Sequence, residues 1–254
     1  VALPTVVGVG TAIAGIGAVT PAYPVGYTAV ADDCAFTFVE CESTDVVTPP
    51  TNWAVAAGAN VATGTPTKLT CLWRRLTVGE AAPTIADAGN HMNAQMIVIR
   101  DVSTAGNPWD IAVGNTELVA DTTVSIPGGT TTGADRLIMA AFATGQDVAS
   151  TAGATGWADA TLANVTERMD NWATAGLGGG FAMATGEKAT AGTVGPMTAT
   201  LSLTANFKAL LYIALRSQPP GQAVPEILIR SPRPSEQFHL YGPYSQHINP
   251  SQFF

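Results

Sequence analysis

RLIMAAFAT, residues 136–144, is apolar on both parities: Leu137, Met139 and Ala141 fall on one, Ile138, Ala140 and Phe142 on the other. Side chains alternate between the two faces of a strand, so a half-solvated strand would interleave polar residues with apolar ones. This segment therefore reads as a strand covered on both sides, central in a packed sandwich.

Similar runs lie on either side of it. CAFTFVE (34–40), KLTCLWRR (68–75), QMIVIRDV (95–102), TTVSIP (122–127), GFAMATG (180–186), TATLSL (198–203) and KALLYIALR (208–216) are rich in β-branched and apolar residues, and none holds a 3.6-residue period. The opening VALPTVVGVGTAIAGIGAVTPAYP has no charge before Asp32. It has no basic leader region and is broken by Pro4, Gly8, Gly10, Gly15, Gly17 and Pro21, so it reads as two short strands, not as a signal or membrane segment. About ten strands without a helix to cover a sheet predict an all-β fold of two antiparallel sheets face to face, a jelly-roll-like sandwich.

The two halves of this region echo each other. GAVTPAYPVG, Trp53, LTCLWRR and a strand ending in Arg100 are followed, about 105 to 115 residues later, by SIPGGTTTGADRLIMAAFATG, Trp157, GGFAMATGEK and a strand ending in Arg216. This order predicts a duplication, with halves of about 1–105 and 106–216 inside one β-domain, 1–216.

Composition narrows the function classes. Charged residues make up 12% of the chain, about half the usual share, and the net charge is −8. Phosphate binding needs clustered Lys and Arg, so no nucleic-acid partner is expected. The one adjacent basic pair, Arg74-Arg75, reads as two sides of a strand, one of them solvated. Cys34, Cys41 and Cys71 are odd in number and contain no C-x-x-C, and Cys34 and Cys41 have opposite parity, so buried reduced thiols are expected. With no disulfides and no signal peptide expected, synthesis in a reducing cytoplasm is the expectation.

Catalytic chemistry finds little to work with. His91 is the one histidine outside the last segment, and it reads as a turn residue beside a strand; G-x-S-x-G does not occur. Asp32-Asp33 and Asp135 precede strands and read as turn residues, without the spacing of a calcium loop. Neither the Rossmann nor the Walker pattern is present. The expectation is a non-enzymatic protein with no cofactor and no metal. Trp53, Trp73 and Trp157 are assigned to the core, whereas Trp109 in GNPWD and Trp172 in MDNWATAG sit in loop-like surroundings and are candidates for stacking on a glycan.

Segments such as GAVTPAYPVG, LTCLWRRLTVGEAAPTIAD, IVIRDVSTAGNPWD and SIPGGTTTGADRLIMAAFATG resemble a family of β-sandwich proteins encoded in the structural-gene regions of tailed bacteriophages. The resemblance covers about residues 5–216 and implies a virion component of the tail-fibre, minor-tail or capsid-decoration kind, with no catalytic residues to carry over.

Residues 217–254 depart from it. They hold seven of the seventeen prolines and five of the eighteen aromatics, so they read as an extended arm with at most one short strand, EILIR. Phe238, Tyr241, Tyr244, Ile248, Phe253 and Phe254 are the candidate docking residues, because burial of each aromatic against a neighbour contributes about 1.5–3 kcal/mol before ordering costs. The expected partners are other capsid or tail subunits and further copies of the chain, with no membrane role. The alternative is a carbohydrate- or receptor-binding module that meets a host surface glycan.

Overall fold

The computed structural model describes residues 2–62, 66–146 and 153–219. Among them every regular element is a strand, and all pairings are antiparallel. No helix among them is long and apolar enough to cross a membrane. Residues 220–254, with all six docking candidates, lie outside the described residues.

The first half supplies β1 (Thr5–Val9), β2 (Ile13–Gly15), β3 (Cys34–Cys41), β4 (Ala54–Ala62), β5 (Lys68–Arg75) and β6 (Met92–Arg100). They form one sheet in the order β1-β6-β3-β5-β4, with β2 also on β6. The opening segment is thus two short strands, as its interrupted sequence predicts.

From the second half come β7 (Trp109–Glu117), β8 (Asp121–Ile126), β9 (Gly129–Thr131), β10 (Arg136–Thr144), β11 (Ala154–Ala158), β12 (Ala163–Ala173), β13 (Gly179–Lys188), β14 (Gly192–Val194), β15 (Met197–Ala205) and β16 (Lys208–Arg216). The main sheet here runs β7-β16-β10-β13-β12, and a smaller one runs β11-β15-β8. Matching β1, β3, β4, β5 and β6 to β7, β10, β12, β13 and β16 makes the two main orders identical. The echo in the sequence is therefore an echo in topology.

Three cores follow from the alternation of side chains. Phe36 and Phe38 of β3, Cys71 of β5 and Ile97 of β6 share one core with Met139 of β10, Phe181 of β13 and Leu211 of β16. The two main sheets meet across it, with Phe38 and Phe181 stacked at 6.4 Å between ring centres. On the far side of the second sheet, Ile138, Ala140, Phe142 and Tyr212 pack beneath Val124, Ile126, Met197 and Leu201 of the small sheet. The far side of the first sheet has Val39, Cys41 and Leu72 under Val19, Trp53, Leu76 and Ile85. Both faces of β10 are buried along its length, which accounts for its apolar composition on both parities.

Cys34 and Cys41 do face opposite cores, and all three thiols are free and buried. Burial pushes Cys34 up to about 11 and Cys41 to about 12, so both stay protonated and unreactive.

One corner needs glycine. At the meeting of edge strands β4 and β7, a Cβ on Gly114 would lie 2.1 Å from Val61 Cγ2 and 2.3 Å from the Gly58 carbonyl oxygen, and Gly58 itself has φ +72°. The body continues past the expected boundary at 216. Ser217 bridges to Val102 and Gln218 to Ala2, and the Gln218 N–H donates to the Asp101 carbonyl at 2.9 Å.

Candidate functional site

The residues singled out for chemistry are held by structural partners. Asp32 and Asp135 have φ of +68° and +55° just ahead of β3 and β10, the turn role expected of them. Arg74 and Arg75 are both half-buried, where one was expected in solvent. Arg74 pairs with Glu80, and Arg75 donates to the Ser103 carbonyl at 2.7 Å. No group of three metal-ligating side chains occurs among the described residues.

His91 departs from the partly exposed turn histidine expected. It is buried, with Nε2 3.2 Å from Glu40 Oε2, while the Thr67 hydroxyl donates to Glu40 Oε1 at 2.8 Å. Burial holds the Glu40 carboxyl above its usual range. His91 is pulled down by its own burial, but the hydrogen bond and charge of Glu40 outweigh this and leave it raised. The pair lies on a polar seam between the halves. The Leu177 N–H donates to Asn90 Oδ1 at 2.7 Å, Asn93 Nδ2 donates to the Asn171 carbonyl at 3.0 Å, and a Cβ on Gly179 would lie 2.5 Å from Glu40 Oε1. The buried Glu40–His91 pair itself lies within the first half, and its neighbours Asn90 and Asn93 make the bonds to the second.

Neither glycan candidate lies in a loop. Trp109 opens β7 and stands edge-on to Trp73, 5.1 Å between ring centres, against the shared core. Trp172 lies in β12 at 7% exposure, packed in the core beneath the small sheet. Its buried ring leaves no open face for a sugar, which corrects its reading as a stacking residue.

Trp157, assigned to the core, does pack against the outer core of the second half, and like Trp73 and Trp109 it is only half-buried. Trp157 on β11 is partly exposed and lines a cleft of about 420 Å³ between β11, the edge of the small sheet, and β12, the edge of the main sheet. Its ring lies 5.7 Å from that of Phe142, and Trp172 is 6.3 Å from Phe142 on the same core, so an aromatic cluster backs the cleft. Trp157 Nε1 donates to Glu167 Oε2 at 2.8 Å, which fixes the indole. Asp170 accepts from the Gly153 N–H at 3.2 Å, from the Ala154 N–H at 3.3 Å and from Trp172 Nε1. Burial raises both carboxyls, and the charge of Asp170 raises Glu167 further.

The cleft was hidden from the sequence by a bulge. Glu167 and Asp170 have opposite parity, which in a regular strand would put them on opposite faces. The β12–β13 register slips between Glu167 and Met169, so Val165 before the slip and Trp172 after it join the same outer core while Met169 turns to the shared one. The close spacing of Trp157, Glu167 and Asp170 was the available signal.

No protein-family model, curated protein or solved structure matches the chain.

Proposed function

We propose that the chain is a non-enzymatic structural protein of a tailed-phage virion, a capsid decoration protein or tail appendage held to the particle by residues 217–254. In this reading the body is a jelly-roll-like sandwich of two similar halves. The supporting observation lies in the second half, where the pairs β7–β16, β8–β15, β9–β14 and β10–β13 nest one inside the next, as the pairs of a jelly roll do. A double body with one shared core suits a part whose task is to hold shape. The arm contributes the contacts that such a body lacks, through its aromatic residues.

Replacing Tyr241, Tyr244, Phe253 and Phe254 together by serine in the full chain tests the reading. Virions assembled with the variant should carry at least about tenfold fewer copies than with the natural chain, while the melting temperature of the body is unchanged. Equal incorporation of the variant, or absence of the natural chain from purified virions, contradicts it.

The cleft at Trp157 favours a second reading, a carbohydrate- or receptor-binding module of a tail fibre. A half-buried aromatic ring beside hydrogen-bonding groups is an arrangement that suits a saccharide.

A further inference from the structure

We propose that the cleft between β11 and β12 is a saccharide subsite, taking one neutral pyranose unit of a glycan on Trp157 and Glu167. The inference rests on the second reading above and moves its site away from Trp109 and Trp172.

Comparison of the halves gives the first argument. Trp53 and Trp157 recur in sequence, and each packs on the outer core of its own half. Trp53 is 8% exposed and closes that core, with its backbone N–H donated to the Pro50 carbonyl at 2.9 Å. Trp157 instead sits on a strand that has no counterpart in the first half, and its ring lines an open cleft. Core packing alone is satisfied by the buried arrangement of the first half, so the opened one asks for another purpose.

The polar groups give the second. Asp170 is occupied by three N–H donors and acts as a brace that holds β12 to the start of β11. Glu167 spends Oε2 on the indole N–H, and among the described residues no hydrogen bond is seen at Oε1, an acceptor beside the ring. Exposed Thr155, which carries a hydroxyl, lines the same cleft. An aromatic face flanked by one acceptor and one hydroxyl matches a pyranose, whose C–H face is apolar and whose hydroxyls both donate and accept.

Charge selects among sugars. Two carboxylates in the cleft and a net charge of −8 repel sialylated or uronic acid residues. A cationic amine is the competing ligand, because it would relieve the crowding of Glu167 and Asp170. Asp170, however, already accepts from three N–H donors, so Glu167 alone would have an oxygen to offer an ammonium.

The test uses the full chain on an array of neutral hexose and N-acetylhexosamine oligosaccharides, sialylated oligosaccharides and amine-bearing sugars. The strongest binder is then titrated calorimetrically against the natural chain, Trp157→Ala and Glu167→Gln. The expected result is binding to neutral oligosaccharides, weakened about tenfold or more in each variant. Glu167→Gln preserves volume and keeps an oxygen for the indole, so it reports on the site even if Trp157→Ala unfolds. Neutral glycans bound equally well by Glu167→Gln and by any folded Trp157→Ala would overturn the assignment of the site and leave the glycan-binding reading standing. Binding to amine-bearing sugars alone would overturn the neutral class. No binding anywhere on the array would remove the glycan-binding reading and the subsite together.

Discussion

The first half covers the outer face of its main sheet with connecting segments, whereas the second covers the equivalent face with strands. Val19 and Ile85 form a single bridge in the first half, where β8 and β15 form a ladder in the second. Hydrogen bonds from Gly79 to Ala29 and from Leu76 to Asp33 stand where β14 pairs with β9. The same plan thus tolerates a sparse outer layer or a full one, because the shared core and the main-sheet ladders are common to both. What the full layer adds is an edge strand, β11, and with it a cleft.

The polar seam that joins the halves is where the comparison breaks most easily. His91→Ala strands the Glu40 carboxyl in a dry site, and urea unfolding at pH 7 should show a loss of about 3–5 kcal/mol. The pair also sets a pH dependence. Both groups hold their proton more tightly in the folded chain, so the folded state binds more protons and stability falls as pH rises. For His91 the fall begins near its ordinary value of about 6.5 and continues through its raised one. The double variant Glu40→Gln, His91→Gln should lose this decline, as read from urea midpoints between pH 6 and 9.

At the β4–β7 corner the halves touch through backbone, so Gly114→Ala forces β4 and β7 apart. A loss of about 1–3 kcal/mol is expected, measured by differential scanning calorimetry.

The smallest effect falls where the halves differ in chemistry at matching positions. Met92 opens β6, while β16 opens on Lys208, wholly buried and bonded to Glu117 and Asp121 at 2.8 Å each. The side chains of these carboxylates are 18% and 41% exposed, so water can hydrate them once the ammonium is gone. Lys208→Met should change stability by less than about 1 kcal/mol in urea unfolding. A loss near that of His91→Ala would mean that the ammonium carries the fold of this end.

Sequence legibility follows the same contrast. Strands β3, β5, β10 and β16 are visible because burial on both faces leaves little choice but apolar and β-branched residues. Strands β4, β7 and β12 lie at sheet edges, where one partner is missing, Gly58 and Gly114 intervene and bulges break the alternation, so Trp109 and Trp172 looked like loop residues. The likeness of the two main-sheet strand orders was foreshadowed by the order of segments in the sequence. The cleft was not, since β11 has no strand pattern of its own, with Thr155, Gly156 and Ala158 all exposed, and parity misplaces Asp170. Glu40 and His91 are 51 residues apart in sequence, and only the pairing of β3 with β6 brings them together.

Cryo-electron microscopy of purified virions, at a resolution that shows aromatic rings, bears most directly on an architectural role fixed by the arm. The expected map contains repeated copies of the two-half body, with the Phe253 and Phe254 rings buried against a different subunit. A map in which those rings cover their own body and neighbouring subunits remain untouched, or one with no density for this chain, contradicts it.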